Sequence, residues 1–287
     1  MPANFQRSFK QTVLISGATG GLGKAFAVEC ASRGWDLFLT DRSQPALDML
    51  ANSLSAGYGI KTGTCACDLT NEHSRLKLFA DLDQTFSSLT MLINVAGVDH
   101  EGMFLDQSGE QINSIVRLNI ESTLAMIHAL VPRRDPFTKF RVINVASMAA
   151  FYAMPVKAVY AASKRFLLDV TLALQEEMKV HNVGFTVLCP AGMPTNQECI
   201  HAIEGQGLMG QITTMDVGRV AYQTIESSLH DRKVVIPGMI NRIIRSIGSM
   251  VPARLVTYLI GKRWSKVRIE RSQKGTLPAA QAAVLKF

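Results

Sequence analysis

Short apolar runs rich in β-branched residues alternate with helix-length amphipathic segments along most of this chain. Such alternation predicts βαβ units, whose right-handed crossovers build a mostly parallel sheet with helices on both faces. The candidate strands are Thr12–Ser16, Asp36–Thr40, Gly63–Cys67, Met91–Val95, Arg141–Ala146, Gly184–Cys189 and Lys233–Ile236. The sequence therefore predicts an α/β fold with a doubly wound parallel sheet of about seven strands.

A glycine-rich turn follows the first candidate strand, at the point where a helix begins. Its glycines let the backbone approach a ligand, and the free amides and positive end of the helix suit a pyrophosphate. Its place between a strand and a helix, with an acid after the second strand, distinguishes it from an ordinary tight turn. We predict a Rossmann-type domain that contacts a dinucleotide through Gly17, Thr19, Gly21, Leu22 and Gly23.

The acid after the second strand bears on which dinucleotide binds. Asp41 could accept hydrogen bonds from the adenosine ribose hydroxyls and would repel a 2′-phosphate, which favours NAD(H). Arg42 beside it could pair with that phosphate, so NADP(H) stays open as the alternative. The ordinary structural role for Asp41 is a helix cap or a loop carboxylate.

Tyr160 and Lys164 stand one helical turn apart in Val-Tyr-Ala-Ala-Ser-Lys, and Ser147 precedes them. A phenol ionises near pH 10, but an ammonium group on the same helix face would lower that pKa. Tyr160 could then protonate a carbonyl oxygen in reduction or take the alcohol proton in oxidation, while Ser147 holds the same oxygen. Each residue alone has an ordinary structural explanation; together with the glycine turn they predict a hydride-transfer enzyme.

From Ser16 to Thr195 the chain resembles the short-chain dehydrogenase/reductase family in its classical form. Ser16-Gly17-x-x-x-Gly21-x-Gly23 is similar to the family's Thr-Gly-x-x-x-Gly-x-Gly turn, with Ser in place of Thr. Asn94-Val95-Ala96-Gly97 resembles the Asn-Asn-Ala-Gly motif except at Val95. Pro190-Ala191-Gly192-Met193-Pro194-Thr195 resembles the loop beside the nicotinamide, with Ala191 at the usual Gly position.

The resemblance implies site residues beyond those argued from spacing. Asp68 and Leu69 correspond to the adenine-contacting acid and its neighbour, and Asn119 would support a water relay to Lys164, which contacts the nicotinamide ribose. The implied catalytic set is Asn119, Ser147, Tyr160 and Lys164, and the implied cofactor contacts also include Asn94, Ala96, Gly97, Tyr160, Lys164, Pro190, Gly192 and Thr195. The family usually associates through helices such as Gln111–Leu130 and Val159–Val180, so the resemblance also implies a homo-oligomer, a dimer or a tetramer.

The domain organisation is predicted from the length of the chain and from the positions of Gly and Pro. No Gly or Pro cluster marks a second domain before about residue 237, and a chain of 287 residues can bury one α/β core. We predict a nucleotide-binding and catalytic domain over 1–236, an amphipathic helical extension packed on it over 237–274, and a flexible tail over 275–287.

The net charge of +7 belongs to the C-terminal segment, since residues 233–287 carry eleven Lys or Arg and one acid. Ile240, Ile243, Ile244, Ile247 and Val251 repeat there at helical spacing. Packing on the body or on a second subunit is the simpler role for these helices, and contact with a membrane surface is the alternative. A nucleic-acid partner is not expected, because the segment has no zinc-ligand spacing and no aromatic RNA-binding signature.

The remaining signals concern compartment and metals. No run approaches the roughly 18 apolar residues of a spanning helix, and residues 1–10 lack the apolar core of a signal peptide, so we expect a cytoplasmic protein. The five cysteines lack paired spacing and the histidines are scattered, so neither a disulfide framework nor a metal site is expected.

The substrate side is less specific. Apolar side chains between Ser147 and Tyr160, and a glycine-containing segment over 196–216, would form a wall and a lid beside the nicotinamide. This favours an NAD(P)-dependent oxidoreductase that interconverts a secondary alcohol and a ketone on an apolar substrate such as a hydroxysteroid, a bile acid or a ketoacyl lipid. The alternative is a non-catalytic nucleotide-sensing or lipid-binding protein on the same fold.

Overall fold

A seven-stranded parallel sheet lies at the centre of the computed structural model, which describes residues 10–195 and 213–262. The strands are β1 (Thr12–Ser16), β2 (Asp36–Asp41), β3 (Thr62–Ala66), β4 (Met91–Asn94), β5 (Phe140–Val145), β6 (Val183–Leu188) and β7 (Val234–Val235). Their order is β3-β2-β1-β4-β5-β6-β7. The predicted doubly wound sheet is confirmed, with strand ends displaced by about one residue and β7 reduced to two residues.

Eight α-helices surround this sheet in the described part of the chain. They are α1 (Gly21–Ser32), α2 (Gln44–Tyr58), α3 (Glu72–Thr85), α4 (Gly109–Ile115), α5 (Ser122–Leu130), α6 (Ala158–Glu177), α7 (Val217–Leu229) and α8 (Met239–Met250). Residues 253–262 form a further helical segment that runs to the end of the described residues. The predicted flexible tail over 275–287 lies outside them.

The core of the described residues has two large apolar clusters, one on each face of the sheet, and a smaller third cluster around Leu167 and Val187. Every residue of β1 is buried, and alternate side chains go to opposite faces, as the pleat requires. Val13 and Ile15 pack with Phe26 of α1 on one face, whereas Leu14 packs with Phe38 on the other. A strand buried on both sides explains why the sequence runs are continuously apolar rather than alternating.

The strand order reverses between β1 and β4, which lie side by side although two strands separate them in sequence. In open parallel sheets the crevice at the carboxyl ends of such strands is the usual ligand site. Every residue in the predicted site follows the carboxyl end of a strand or lies on a helix that begins there.

The helical rod that contains α4 and α5 is the longest apolar helix of the described residues. From Gly109 to Arg133 it has the length and composition to cross a membrane, and 39% of its most apolar window is buried in this fold. Ile115, Met126 and Leu130 are among its buried side chains. Polar residues interrupt the sequence of this helix, so it contains no long unbroken apolar run.

Candidate active site

The glycine turn after β1 is so tight that its glycines are sterically required. Gly17 has a φ of +65°, and a Cβ there would lie 2.8 Å from the backbone nitrogen of Ala96. A Cβ on Gly21 would lie 2.9 Å from Cα of Thr195, and one on Gly23 would overlap the carbonyl of Gly17. The N-cap residue of α1, Gly20, supplies no side-chain cap, so the amide end of this helix faces the turn as in sites for anionic ligands.

Ser16 connects this turn to the loop after β4. Its hydroxyl accepts hydrogen bonds from the backbone nitrogens of Val95 at 3.2 Å and Ala96 at 3.4 Å. The Ser that stands where the related motif has Thr therefore holds the glycine turn and the loop after β4 together. Val95 itself is half-buried against the core beneath β1, which fits a packing role for this substitution.

Asp41, at the end of β2, faces the same turn. One carboxylate oxygen accepts from the backbone nitrogen of Thr19 at 3.0 Å and from its hydroxyl at 2.6 Å, and the other accepts from the Arg42 nitrogen at 2.8 Å. Asp68, on the neighbouring loop, accepts from the Thr70 nitrogen and hydroxyl, and these bonds hold its pKa below the usual range, with help from Arg42. Leu69 beside it is buried.

Asn94 ends β4 as part of a polar ladder inside the sheet. Its side-chain nitrogen donates to Asn144 at 2.9 Å, and Asn144 donates in turn to Thr171 of α6. The Asn94 Oδ1 atom is buried and has no partner among the described residues. The ladder fixes α6 against β4 and β5, and spacing alone did not indicate Asn144 or Thr171.

Tyr160 and Lys164 lie on the first turns of α6. The Lys164 ammonium nitrogen is 5.7 Å from the centroid of the Tyr160 ring and donates to the Val145 carbonyl at 2.9 Å. Lys164 is only 4% exposed, and this burial lowers the pKa of its ammonium to about 8. The structure thus brings the two predicted residues together and removes the cation from water.

Asn119 occupies a widened π-type turn, Val116–Glu121, between α4 and α5. Such turns are frequent at functional sites, because they redirect one side chain out of the regular helix. The Asn119 side-chain amide holds the loop after β4. It accepts a hydrogen bond from the Val98 nitrogen at 2.8 Å and donates one to the Val98 carbonyl at 2.9 Å. It also donates to Ser163 of α6 at 3.0 Å, so Asn119 joins three elements beside Lys164.

Gly97 shows how closely these groups approach one another. A Cβ at this position would lie 3.1 Å from Oδ1 of Asn119 and 3.2 Å from Nζ of Lys164. Gly97 therefore lies next to both side chains, and a larger residue there would displace one of them.

Ser147 follows β5 and is half-buried at the same end of the sheet. Its hydroxyl accepts from the Ala149 nitrogen at 3.1 Å, which fixes the oxygen at the start of a short 3₁₀ turn. The next residue, Met148, donates its backbone nitrogen to the Pro190 carbonyl at 2.8 Å. The Ser147 loop and the loop after β6 are therefore held side by side.

The loop after β6 extends back across the glycine turn. Thr195 packs against Gly21, and the Gly192 carbonyl accepts from the Met215 nitrogen at 3.4 Å. Thr195 of this loop thus touches the turn that begins α1. The predicted lid lies almost entirely over residues 196–212, outside the described residues.

A second cation beside Tyr160 was not predicted. The Lys157 ammonium nitrogen lies 5.7 Å from the same ring centroid and forms ion pairs with Asp99 and Glu101 on the loop after β4. The only sequence signal is its position one helical turn before Tyr160. These ion pairs hold the loop after β4 against the start of α6.

An open, mostly apolar cleft of about 210 Å³ adjoins this site. Its lining is shared between the loop after β4, with Met103 and Phe104, and the residues that lead into α6, with Pro155 and Val159. Of the predicted wall residues, Pro155 lines this cleft, whereas Phe151 and Tyr152 face α8.

Comparisons with known proteins agree on one family. The family model described as short chain dehydrogenase matches residues 11–199. A very-long-chain 3-oxoacyl-CoA reductase of Phaeosphaeria nodorum is 33% identical over 59% of this chain and 51% of its own length. Human 17-beta-hydroxysteroid dehydrogenase type 3 is 30% identical over 68% of this chain and 63% of its own length. The chain thus spans about half to two thirds of these relatives.

Solved structures with the same fold have low sequence identity to this chain. A short-chain dehydrogenase/reductase from Burkholderia phymatum in complex with NAD has a TM-score of 0.71 and 22% identity, covering 79% of this chain and 88% of that one. A short-chain dehydrogenase from Sphingobium yanoikuyae in complex with NADPH has a TM-score of 0.69 and 24% identity, covering 84% and 96%. At these identities the likeness establishes the fold.

The prediction of a cytoplasmic compartment is wrong. The very-long-chain 3-oxoacyl-CoA reductases and 17-beta-hydroxysteroid dehydrogenase type 3 are membrane-bound enzymes of the endoplasmic reticulum. The helix Gly109–Arg133 has the length and composition of a bilayer-crossing helix, but in this fold several of its apolar side chains are buried beside the sheet. The lack of an unbroken apolar run and of a leader peptide does not decide the compartment, because proteins associate with membranes in other ways as well.

Proposed function

Because the chain belongs to the short-chain dehydrogenase family, we propose that it interconverts a secondary alcohol and a ketone on a largely apolar substrate, with a nicotinamide cofactor as hydride carrier. The observation that carries this proposal is the buried ammonium of Lys164, 5.7 Å from the centroid of the Tyr160 ring. A buried cation next to a phenol is the arrangement that an acid/base tyrosine needs near neutral pH.

Tyr160 is the proposed acid/base. In reduction its hydroxyl gives a proton to the carbonyl oxygen, and in oxidation its phenolate takes the proton of the alcohol. The Lys164 ammonium favours the phenolate through its charge, and its bond to the Val145 carbonyl keeps it in place. Low exposure strengthens this coupling, because water does not screen it.

Ser147 and Asn119 complete the proposed catalytic set. Ser147, fixed by its bond with the Ala149 nitrogen, holds the reacting oxygen beside Tyr160. Asn119 is a positioning residue, since its amide holds the loop after β4 and Ser163 next to Lys164. These hydrogen bonds place Asn119 next to Lys164. This position is the support for the water relay that the resemblance implies.

The residues around the glycine turn fit a dinucleotide. Because Gly17, Gly21 and Gly23 have no Cβ, a ligand can closely approach the backbone of the turn. The uncapped amide end of α1 suits a pyrophosphate. The nicotinamide ring supplies or accepts the hydride when the cofactor is bound. Asp68, Leu69, Asn94, Ala96, Gly97 and the loop from Pro190 to Thr195 form the remaining wall of this proposed site.

We propose NAD(H) as the preferred cofactor. The Asp41 carboxylate accepts hydrogen bonds from Thr19 and from the Arg42 nitrogen, which hold it at the proposed ribose end of the turn. An ionised carboxylate there would repel a 2′-phosphate. The exposed Arg42 offers the opposing attraction, so the competition between these two side chains decides the preference.

The proposed substrate is a 3-oxoacyl lipid or a hydroxysteroid. The names of the relatives support this class, and so does the apolar lining of the cleft by Met103, Phe104 and Pro155. We place catalysis in residues 1–236 and propose that the extension over 237–274 packs on the same domain.

A homo-oligomer is also proposed, through α4, α5 and α6. Val116 in the π-type turn between α4 and α5, and Phe166 on α6, are exposed apolar residues, as expected for a surface that a second copy covers. Light scattering at micromolar concentration should give a dimer or a tetramer, and a monomer would contradict this assignment.

The test of function is the change in nicotinamide absorbance with purified protein, each of the four cofactor forms, and a panel of 3-oxoacyl thioesters, hydroxysteroids, bile acids and simple ketones. Turnover with the first two classes is expected. Tyr160→Phe should abolish it while cofactor affinity persists, and Tyr222→Phe, which removes a hydroxyl from an exposed tyrosine on α7, should change neither. Retained turnover in Tyr160→Phe would overturn the assignment.

A further inference from the structure

Helix α8 turns its apolar side away from the protein. Ile247 is 59% exposed, and the exposed apolar side chains on this face are Met239, Ile240, Ile243, Ile247 and Met250. They recur at helical spacing and form one stripe, which we term the outward apolar face. An amphipathic helix on a globular body normally buries such a stripe, so this orientation is the reverse of the usual one.

The opposite, polar side of α8 makes the contacts with the body. Asn241 is 2% exposed and donates to the carbonyls of Pro237 at 2.8 Å and Thr213 at 3.1 Å. The Tyr152 hydroxyl donates to the Ile244 carbonyl at 3.2 Å, and the Arg245 guanidinium lies 4.4 Å from the centroid of the Phe151 ring. These specific contacts hold α8 with its apolar face outward.

The exposed apolar surface continues to the substrate cleft. Leu255, Tyr258 and Leu259 are exposed on the next helical segment, and Gly261 at its end approaches the Pro155 ring. Pro155 lines the cleft together with Phe104, and the neighbouring Leu105 is 92% exposed. The outward apolar face and the mouth of the cleft therefore belong to one side of the molecule.

The described part of this side also carries positive charge. Residues 232–262 contain no Asp or Glu. Arg242, Arg254 and Lys262 flank the exposed apolar side chains on the described helices. Apolar residues flanked by cations match the interface of an anionic bilayer, where acyl chains lie beneath negative headgroups.

We propose that the outward apolar face docks the protein on an anionic lipid bilayer, with α8 lying in the interface. A second copy is the poorer occupant, because a two-fold contact places the same surface against itself and would bring the two basic segments together. Docking in this orientation turns the cleft beside Tyr160 towards the membrane. An apolar substrate could then reach the site from the bilayer with little exposure to water.

The experiment is co-sedimentation of the full chain with vesicles of phosphatidylcholine alone or of phosphatidylcholine mixed with phosphatidylglycerol. The protein should pellet with the mixed vesicles, and added salt should weaken the binding. The double variant Ile243→Ser/Ile247→Ser should lower the partition coefficient by about tenfold or more. Both side chains are exposed, so the thermal midpoint and cofactor affinity should stay unchanged.

Val180→Ser is the matched control. Val180 is 84% exposed and precedes the amino end of β6, whereas the site lies at the carboxyl ends of the strands, so its loss should leave vesicle binding unchanged. Arg254→Glu/Lys262→Glu should remove the preference for anionic vesicles even if the isoleucine variant proves unstable. Equal binding by the isoleucine variant, or none by the unmodified protein, would overturn the proposal. So would a dimer that the isoleucine variant breaks without any vesicle binding.

Because sedimentation requires no turnover, docking can fail while the oxidoreductase assignment stands, and the reverse also holds.

Discussion

The ammonium nitrogen of Lys164 lies 5.7 Å from the centroid of the Tyr160 ring and donates to the Val145 carbonyl, where solvent scarcely reaches it. Burying a cation opposes folding, and here burial lowers its pKa to about 8. The same desolvation strengthens the influence of the charge on the phenol. The proposed catalytic arrangement is therefore expected to cost stability.

Lys164→Met should stabilise the protein at pH 7. A pKa lowered from 10.5 to about 8 corresponds to about 3 kcal/mol against the charged form, and leaving the Val145 carbonyl unpaired costs about 1 kcal/mol. The variant should therefore gain ~2 kcal/mol in free energy of unfolding, measured by urea denaturation, while turnover falls sharply.

The sign of the pH dependence checks the cause. Between pH 8 and pH 10.5 the unfolded chain keeps the Lys164 proton that the folded chain has lost, so the unmodified protein gains stability as pH rises. Lys164→Met lacks this gain, and its advantage should disappear towards pH 10. An advantage that is independent of pH would instead indicate better apolar packing.

Catalysis should respond to the same titration. In the reduction direction kcat/KM should fall above pH 8, because a neutral Lys164 no longer lowers the pKa of the Tyr160 phenol, which becomes a weaker acid. Lys157→Gln is the control, since it removes the other ammonium near the same ring. It should change the size of kcat/KM but leave the decline near pH 8. If the pH of the decline shifts in Lys157→Gln, the titration belongs to Lys157 and not to Lys164.

Local patterns in the sequence predicted the strands and the glycine turn well. A buried parallel strand is apolar throughout, and Gly17 with its positive φ cannot readily be replaced. Patterns did not reveal the π-type turn that presents Asn119, because a π-type turn depends on contacts with Val98 and Ser163 from other elements.

The orientation of α8 was also beyond sequence analysis. Helical spacing shows that Ile243 and Ile247 share a face, but it cannot tell which face meets the body. That choice depends on Asn241, whose amide meets two carbonyls, and on Gly248, whose missing side chain admits Tyr152. Tertiary contacts of polar and small residues outweigh the usual preference for burying the apolar side.

Asp41→Asn should weaken the discrimination against NADPH. Removing the negative charge relieves its repulsion of the 2′-phosphate, so the ratio of NADPH to NADH dissociation constants should fall by about tenfold. Arg42→Gln should act in the opposite sense by weakening NADPH and sparing NADH. Fluorescence titration of the reduced cofactors measures both ratios. If the unmodified protein binds NADPH more tightly and Arg42→Gln removes that preference, the cofactor assignment reverses.

Gly248→Ala should loosen α8 from the body. An added Cβ would overlap the Tyr152 hydroxyl and lie 2.7 Å from Cε1 of its ring, so either the ring or the helix must move. Overpacking of this kind costs about 1–3 kcal/mol, although alanine favours the helix itself. Limited trypsin digestion should then cut faster after Arg242 and Arg245, while cofactor affinity stays unchanged because the glycine turn is elsewhere.

Two further variants separate the overlap from a general effect on the helix. Ser246→Ala replaces an exposed residue of α8 and should leave the cleavage rate as it is. Tyr152→Ala frees the space that the new methyl group needs, so the double variant Gly248→Ala/Tyr152→Ala should be no more sensitive to trypsin than Tyr152→Ala alone. Strict additivity of the two changes would mean that the contact between Gly248 and Tyr152 does not hold α8 in place.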